Sequence, residues 1–305
     1  MQRRVLMRLG QTLMTMLGIA IVVFFMVRLV GDPAAAMMPR TATREELEAF
    51  RHSLGYDRPV SVQFAEYMGH ALTGDLGDSL YFGDPVISLI LDRLPATLEL
   101  ALAGLALAVM VGVPLGMIAA ARPGSLADAA ARMVGLIGQA APGYWVALLL
   151  IIVFAVQLRL VPAVGRGGPR SLILPAITVS LATLGYLTRL TRSNMLEVLH
   201  QDFVRTARAK GLGERSVFLR HALRNVAIPL VTLVGVQFGY LVGGSVLIET
   251  VFAWPGIGRL AYQAISVRDF PLVQGVAIFA GFFVCITNLV MDLLYTVINP
   301  QIRYR

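Results

Sequence analysis

Six stretches carry no Asp, Glu, Lys or Arg for long enough to cross a bilayer: Leu9–Val27, Leu100–Ala121, Met133–Leu158, Ser171–Thr188, Asn225–Ile248 and Phe270–Met291. A helix crosses a hydrocarbon core of about 30 Å with about 20 residues. The fourth stretch reaches that only narrowly. All six are rich in Leu, Val, Ile, Ala and Gly, without the alternating segments of about ten residues that mark a membrane barrel. The pattern predicts an all-α polytopic membrane protein with six transmembrane helices.

The first stretch follows Arg3, Arg4 and Arg8 and precedes Pro33-Ala34-Ala35-Ala36, which resembles a signal peptide. Its 19 uncharged residues exceed the usual h-region of about 7–15, so an uncleaved anchor is expected.

Three segments break the run of plain helices. Gly31–Pro95 holds 65 residues with ten acidic and five basic side chains. Within it, Thr43 with Glu46 three residues on predicts a capped short helix. Met195–Asn225 predicts a helix Phe203–Lys210 capped by Asp202 and stopped by Gly211. A second short helix fits Glu214–Arg224. Phe203 and Ala207, with Val204 beside them, and then Val217, Phe218 and Ala222 give these helices apolar stripes, which argues for docking on a partner. Thr250–Asp269 contains Phe252-Ala-Trp-Pro-Gly-Ile-Gly-Arg259, where Trp254, Pro255 and Gly256 predict a re-entrant or interfacial turn. Gly235, Gly239 and Gly243, each four apart, predict close helix packing, as do Gly112 and Gly116.

Composition sharpens this picture. Hydrophobic residues make up 57% and charged residues 14%, against about 25% charged in a soluble domain. That excludes an ordinary soluble enzyme and a disordered scaffold. The net charge of +8 is spread over short interhelical stretches, so it points to no nucleic acid. With six spans both termini share a side. Their side holds fifteen basic residues, eight of them in Arg189–Arg224, against ten on the other side, which places the termini in the cytoplasm. Arg159, Arg166 and Arg170 oppose that assignment.

Little catalytic chemistry is legible. Cys285 is the only cysteine, and His52, His70, His200 and His221 all fall outside the predicted spans. No His-Glu-x-x-His or Gly-x-Ser-x-Gly pattern occurs. Glu99, Glu249 and Asp292 stand at span ends, the usual place of a snorkelling or capping carboxylate. A Walker A loop needs Gly-Lys before Ser or Thr, yet the single lysine, Lys210, lies between Ala209 and Gly211. Any ATP used must be hydrolysed elsewhere. An ion-coupled secondary transporter would show ionisable residues in mid-span, and the six stretches hold none of Asp, Glu, Lys or Arg.

The stretch DFVRTARAKGL at Asp202–Leu212, followed by RHALRNVAIPL at Arg220–Leu230, resembles the cytoplasmic coupling loop of permease subunits in bacterial ABC importers, most of all the dipeptide/oligopeptide/nickel branch. DRLPATLELALAG at Asp92–Gly104, LPAITVSLATLGYLTRLTRSNMLEVL at Leu174–Leu199 and IETVFAWPGIGRLAYQAISVRDFPLVQG at Ile248–Gly275 agree in order along the chain. Arg205-Thr206-Ala207 stands where other branches carry Glu-Ala-Ala, and Gly211 is kept.

The resemblance implies a type I importer permease with an N-terminal helix over 1–30, a periplasmic segment over 31–95, a five-helix transmembrane domain over 96–298 and a cytoplasmic tail over 299–305. The coupling loop 195–225 would engage the ATPase through Asp202, Phe203, Arg205, Thr206, Ala207, Lys210 and Gly211. Trp254, Pro255 and Gly256 would form an outer gate or binding-protein contact. The implied partners are a second permease, two ABC ATPase subunits that bind ATP and Mg, and a periplasmic or lipid-anchored binding protein, all at the bacterial inner membrane. No cofactor or metal is expected in this chain. Peptides are the expected substrate, with nickel or a metal chelate as the alternative.

Overall fold

A computed structural model describes residues 2–29, 34, 35, 38 and 41–298. The order of elements is α1 (Gln2–Leu29), α2 (Arg44–Ser53), α3 (Val60–Thr73), α4 (Val86–Ala121), α5 (Leu126–Ala140), α6 (Gly143–Leu150), α7 (Pro169–Leu199), α8 (Asp202–Ala209), α9 (Leu223–Gly244), α10 (Val246–Val251), α11 (Ile257–Val267) and α12 (Phe270–Ile298). No strand occurs among the described residues. The tail 299–305 and the residues Pro33 and Ala36 of the signal-like stretch lie outside the described residues, as does the side chain of Asp292.

Among the described residues five helices are long and apolar enough to cross a membrane, Gly10–Val27, Val86–Ala121, Pro169–Leu199, Glu214–Gly243 and Phe270–Met291, and a bent pair makes six if it is one span. The third expected span differs. It divides into α5 and α6, bent by 104° at Ala141 and Pro142. The cause is local: proline disfavours the α region for the residue before it, and Ala141 is extended at ψ 126. After α6 the chain continues as a π-helix over Ile151–Gln157.

The chain forms two compact units, Met1–Thr97 with Pro255–Ile286, and Leu98–Trp254 with Thr287–Arg305. In the first unit, the expected capping box forms: the Thr43 N–H donates to Glu46 at 2.8 Å and the Glu46 N–H to the Thr43 hydroxyl at 3.3 Å. α3 is an element the sequence pattern did not predict. Its Phe64 and Tyr67 pack on the buried Phe24 of α1, with ring centroids 5.1 and 5.3 Å away. Val86 and Ile90 of α4 join Ile257, Leu260 and Ala264 of α11 and Leu272 and Val276 of α12 in one core. Asp269 starts α12 by accepting the Leu272 N–H at 3.2 Å. It also accepts the Ser79 hydroxyl at 2.5 Å and the Tyr81 N–H at 3.1 Å, which fastens the chain before α4.

The second unit is built on α7, which buries fifteen of its 31 residues. α5 approaches it through glycines. A Cβ on Gly138 would sit 2.5 Å from the Leu181 carbonyl oxygen, and one on Gly185 2.5 Å from that of Gly135. Such contacts bring backbones together without bulky side chains, as bilayer helices favour. The same logic holds on α4, where a Cβ on Gly116 would lie 2.6 Å from the Thr188 oxygen.

Candidate functional site: docking loop and helix interfaces

The docking helix α8 begins one residue earlier than expected. Gln201 stands at the cap position without a side-chain bond, so Asp202 is the first helical residue and not the cap. There its charge still complements the helix N-terminus, and its carbonyl accepts the Thr206 hydroxyl at 3.0 Å. The far end closes as a Schellman turn: the Gly211 N–H donates to the Arg208 carbonyl at 2.9 Å and the Leu212 N–H to that of Ala207 at 3.3 Å. Gly211 takes φ +80, a left-handed conformation that glycine adopts without strain.

The amphipathic face also differs from the expectation. Val204 and Ala207 point inward, 0% and 6% exposed, while Phe203 points out. Both Phe203, four residues before Ala207, and Val204, three before it, lie within reach of its face, and it is Val204 that the fold turns inward. The buried pair enters a cluster with Met195 and Val198 of α7, Val217, Ala222 and Val226. Asp202, Phe203, Arg205, Thr206, Lys210 and Gly211 are exposed on the other side. Arg208, which the sequence did not single out, binds Glu214 in a fork, Nε to Oε1 at 2.7 Å and Nη2 to Oε2 at 3.1 Å.

The second expected surface helix is not separate. From Glu214 the chain runs as Glu214–Ser216, a π-helix over Val217–Ala222, and then α9 without a break. The inward stripe of Val217 and Ala222 is thus the foot of the fifth span.

A buried clamp holds the α5–α7 pair. Asp128, 1% exposed, accepts Arg192 Nε at 2.6 Å and Nη2 at 2.9 Å. The Gly124 N–H adds a bond at 3.0 Å, and Arg132 stands 3.5 Å away. Beside the clamp lies a cavity of about 440 Å³, lined by Arg132, Gln139, Thr188, Arg189, Arg192 and Ser193 among others.

Of the expected packing glycines, Gly235 and Gly239 are buried and Gly243 is exposed. A Cβ on Gly235 would collide with the Met291 side chain of α12. In the turn after α10, Phe252 and Trp254 are 2% and 0% exposed, so neither is an interfacial anchor. The Trp254 N–H donates to the Glu249 carbonyl at 2.7 Å across Ala253, whose φ is +48. In the other unit Pro255 is half-buried, Gly256 is buried, and the Ile257 N–H donates to the Thr97 hydroxyl at 2.8 Å. Two of the carboxylates expected to snorkel or cap at span ends have protein partners. Glu249 is fully buried and accepts the Ser245 hydroxyl at 2.7 Å, while Glu99 pairs with Arg166 at 2.7 Å.

Comparison with known proteins decides the family. Residues 112–304 match the model described as binding-protein-dependent transport system inner membrane component, and residues 1–101 match the N-terminal model of the same component. The chain belongs to this family. This permease is 42% identical over 309 residues to a protein of Brucella abortus (strain 2308) named as a peptide transport system permease, covering 98% of each chain. It is 39% identical over 302 residues to the glutathione transport system permease of Salmonella choleraesuis (strain SC-B67), covering 99% of each. An inward-facing structure of the MetNI methionine ABC transporter shares its fold, with TM-score 0.56 and 18% identity over 70% of this chain and 97% of that one. The permease is therefore an integral inner membrane protein. Its family works in complexes with an ATPase and a substrate-binding protein.

Proposed function

We propose that this permease forms half of the translocation path of an ATP-driven peptide importer and takes its conformational signal through α8. The observation that carries the reading is the two-sided docking helix: Val204 and Ala207 are rooted in the core at the end of α7, while Phe203, Arg205, Thr206 and Lys210 are offered outward. A rooted helix moves with its bundle, so a partner that seizes the exposed side moves α7 and α9 together. The basic surface suits an acidic groove on the ATPase. A second, similar permease would complete the path, and two ATPase subunits would bind ATP and Mg. A binding protein would deliver the substrate on the face opposite α8, with both termini in the cytoplasm. Relatives named for peptide and for glutathione transport support a peptide substrate. The test is uptake by the reconstituted complex with its binding protein. Short peptides should be taken up with ATP, and free or chelated nickel should not compete. Nickel uptake that peptides fail to inhibit would replace the substrate while keeping the permease.

A further inference from the structure

The second unit exposes two kinds of helix surface. α4 and α5 show hydrocarbon outward, with Leu102, Met110 and Ile118 on one and Met133, Leu136 and Ile137 on the other, as lipid-facing helices do. α7 does the opposite. From Ala182 to its C-terminal end its exposed positions are Ala182, Tyr186, Arg189, Ser193 and Glu197, spaced by four, three, four and four residues, which is one face, polar from Tyr186 on. Lipid does not cover such a face, since charged side chains at membrane depth turn to protein or to water. Arg189 also lies about 15 Å along the helix from Leu199, too far from α8 to be part of the docking surface.

The face looks onto the 440 Å³ cavity, where Arg132, Arg189 and Arg192 converge. Asp128 occupies Arg192 with two hydrogen bonds and stands 3.5 Å from Arg132. Arg189 has only an aromatic neighbour among its described contacts, its guanidinium carbon 5.7 Å from the Tyr186 ring centre. Three guanidinium groups thus face one carboxylate, and the excess is positive. Gln139, Thr188 and Ser193 add neutral hydrogen-bonding groups on the same wall. Such a wall suits a carboxylate, which accepts two parallel N–H bonds from an arginine. Glu197, about 12 Å further along the helix, lies outside this wall, and an exposed arginine holds a carboxylate only weakly. A weak site that passes its ligand on is what a conduit needs.

We propose that Arg189 and Arg132 line the translocation path at its docking-loop end and guide the C-terminal carboxylate of a peptide through it. The proposal rests on the peptide reading above. The test uses the complete complex in liposomes, with one unchanged binding protein, and compares a dipeptide with its C-terminal amide. Arg189→Gln combined with Arg132→Gln should lower uptake of the free acid about fivefold relative to the amide, the size of one solvent-exposed ion pair. Arg189→Lys should keep most of the preference. An unchanged acid-to-amide ratio, or an equal loss of both peptides, would overturn the proposal. Loss of retained anionic phospholipid with the ratio unchanged would reassign the arginines to a lipid headgroup and overturn it too. If the wild-type complex takes up neither peptide, the peptide reading falls first and the carboxylate guide falls with it.

Discussion

Arg208 and Glu214 grip each other across the left-handed turn at Gly211, with Nε donating to one carboxylate oxygen and Nη2 to the other. The pair ties the end of α8 to the foot of the fifth span. The two side chains are 41% and 61% exposed, so they add little to global stability. Their effect is geometric. Arg208→Ala and Glu214→Ala should each leave the melting temperature unchanged and lower peptide-stimulated ATP hydrolysis. The exchanged pair, Arg208→Glu with Glu214→Arg, should recover part of it. A double-mutant cycle without coupling between the two positions would contradict this role.

Gly211→Val tests the turn itself. Open space surrounds the position, so the cost arises from backbone alone, roughly 1–2 kcal/mol for a left-handed residue and more for a β-branched one. Membrane insertion should be normal and coupled hydrolysis lost. Gly211→Asn, which tolerates that conformation better, should retain more activity.

Val204 separates rooting from recognition. Val204→Ala should cost about 1–3 kcal/mol as a core truncation. Phe203→Ala, on the exposed side, should leave stability alone and weaken ATPase binding in a pull-down from detergent. Equal effects of the two changes on stability would refute the two-sided helix.

The glycine contacts make a sharp comparison. Gly185→Leu drives a side chain against the Gly135 carbonyl and should prevent a stable α5–α7 pair, at a cost of about 3 kcal/mol or more. Gly69→Ala, in open space within α3, should be neutral or mildly stabilising. Thermal melts of the purified protein distinguish them.

Acid should loosen the segment between α3 and α4. The Gly77 N–H first, and His70 second, hold the Asp75 carboxyl below the usual carboxylate range. A depressed folded pKa stabilises above the unfolded value and is lost as pH falls through the folded one. Proteolysis near Asp75 should therefore be flat between pH 7 and pH 5, and rise only below about pH 4. Asp75→Asn should remove that acid dependence.

The apolar spans were legible because each depends on composition within one segment. The capping box at Thr43 and the stop at Gly211 were legible for the same reason. What joined distant segments was not. Asp128 and Arg192 are 64 residues apart, and Asp269 and Ser79 are 190 apart, and nothing near either residue marks its partner. The bend at Pro142 lies inside an unbroken apolar run, which by composition alone reads as one helix. The inward face of α8 was misjudged because eight residues give too few turns to fix a stripe. A carboxylate at a span end suits snorkelling or capping equally, and nothing in the sequence marks Ser245 as the buried partner of Glu249.

The unbroken passage from Glu214 into α9 makes the fifth span a lever with its handle in the docking loop. Thirty residues measure about 45 Å along a helix. A tilt of about 5° at the handle carries the far tip by about 4 Å, enough to admit or refuse a water-sized gap there. The wide turn at Val217–Ala222 sits where such a lever would flex, between grip and shaft. Stiffening it would pass more of the handle's tilt to the far tip without touching either end.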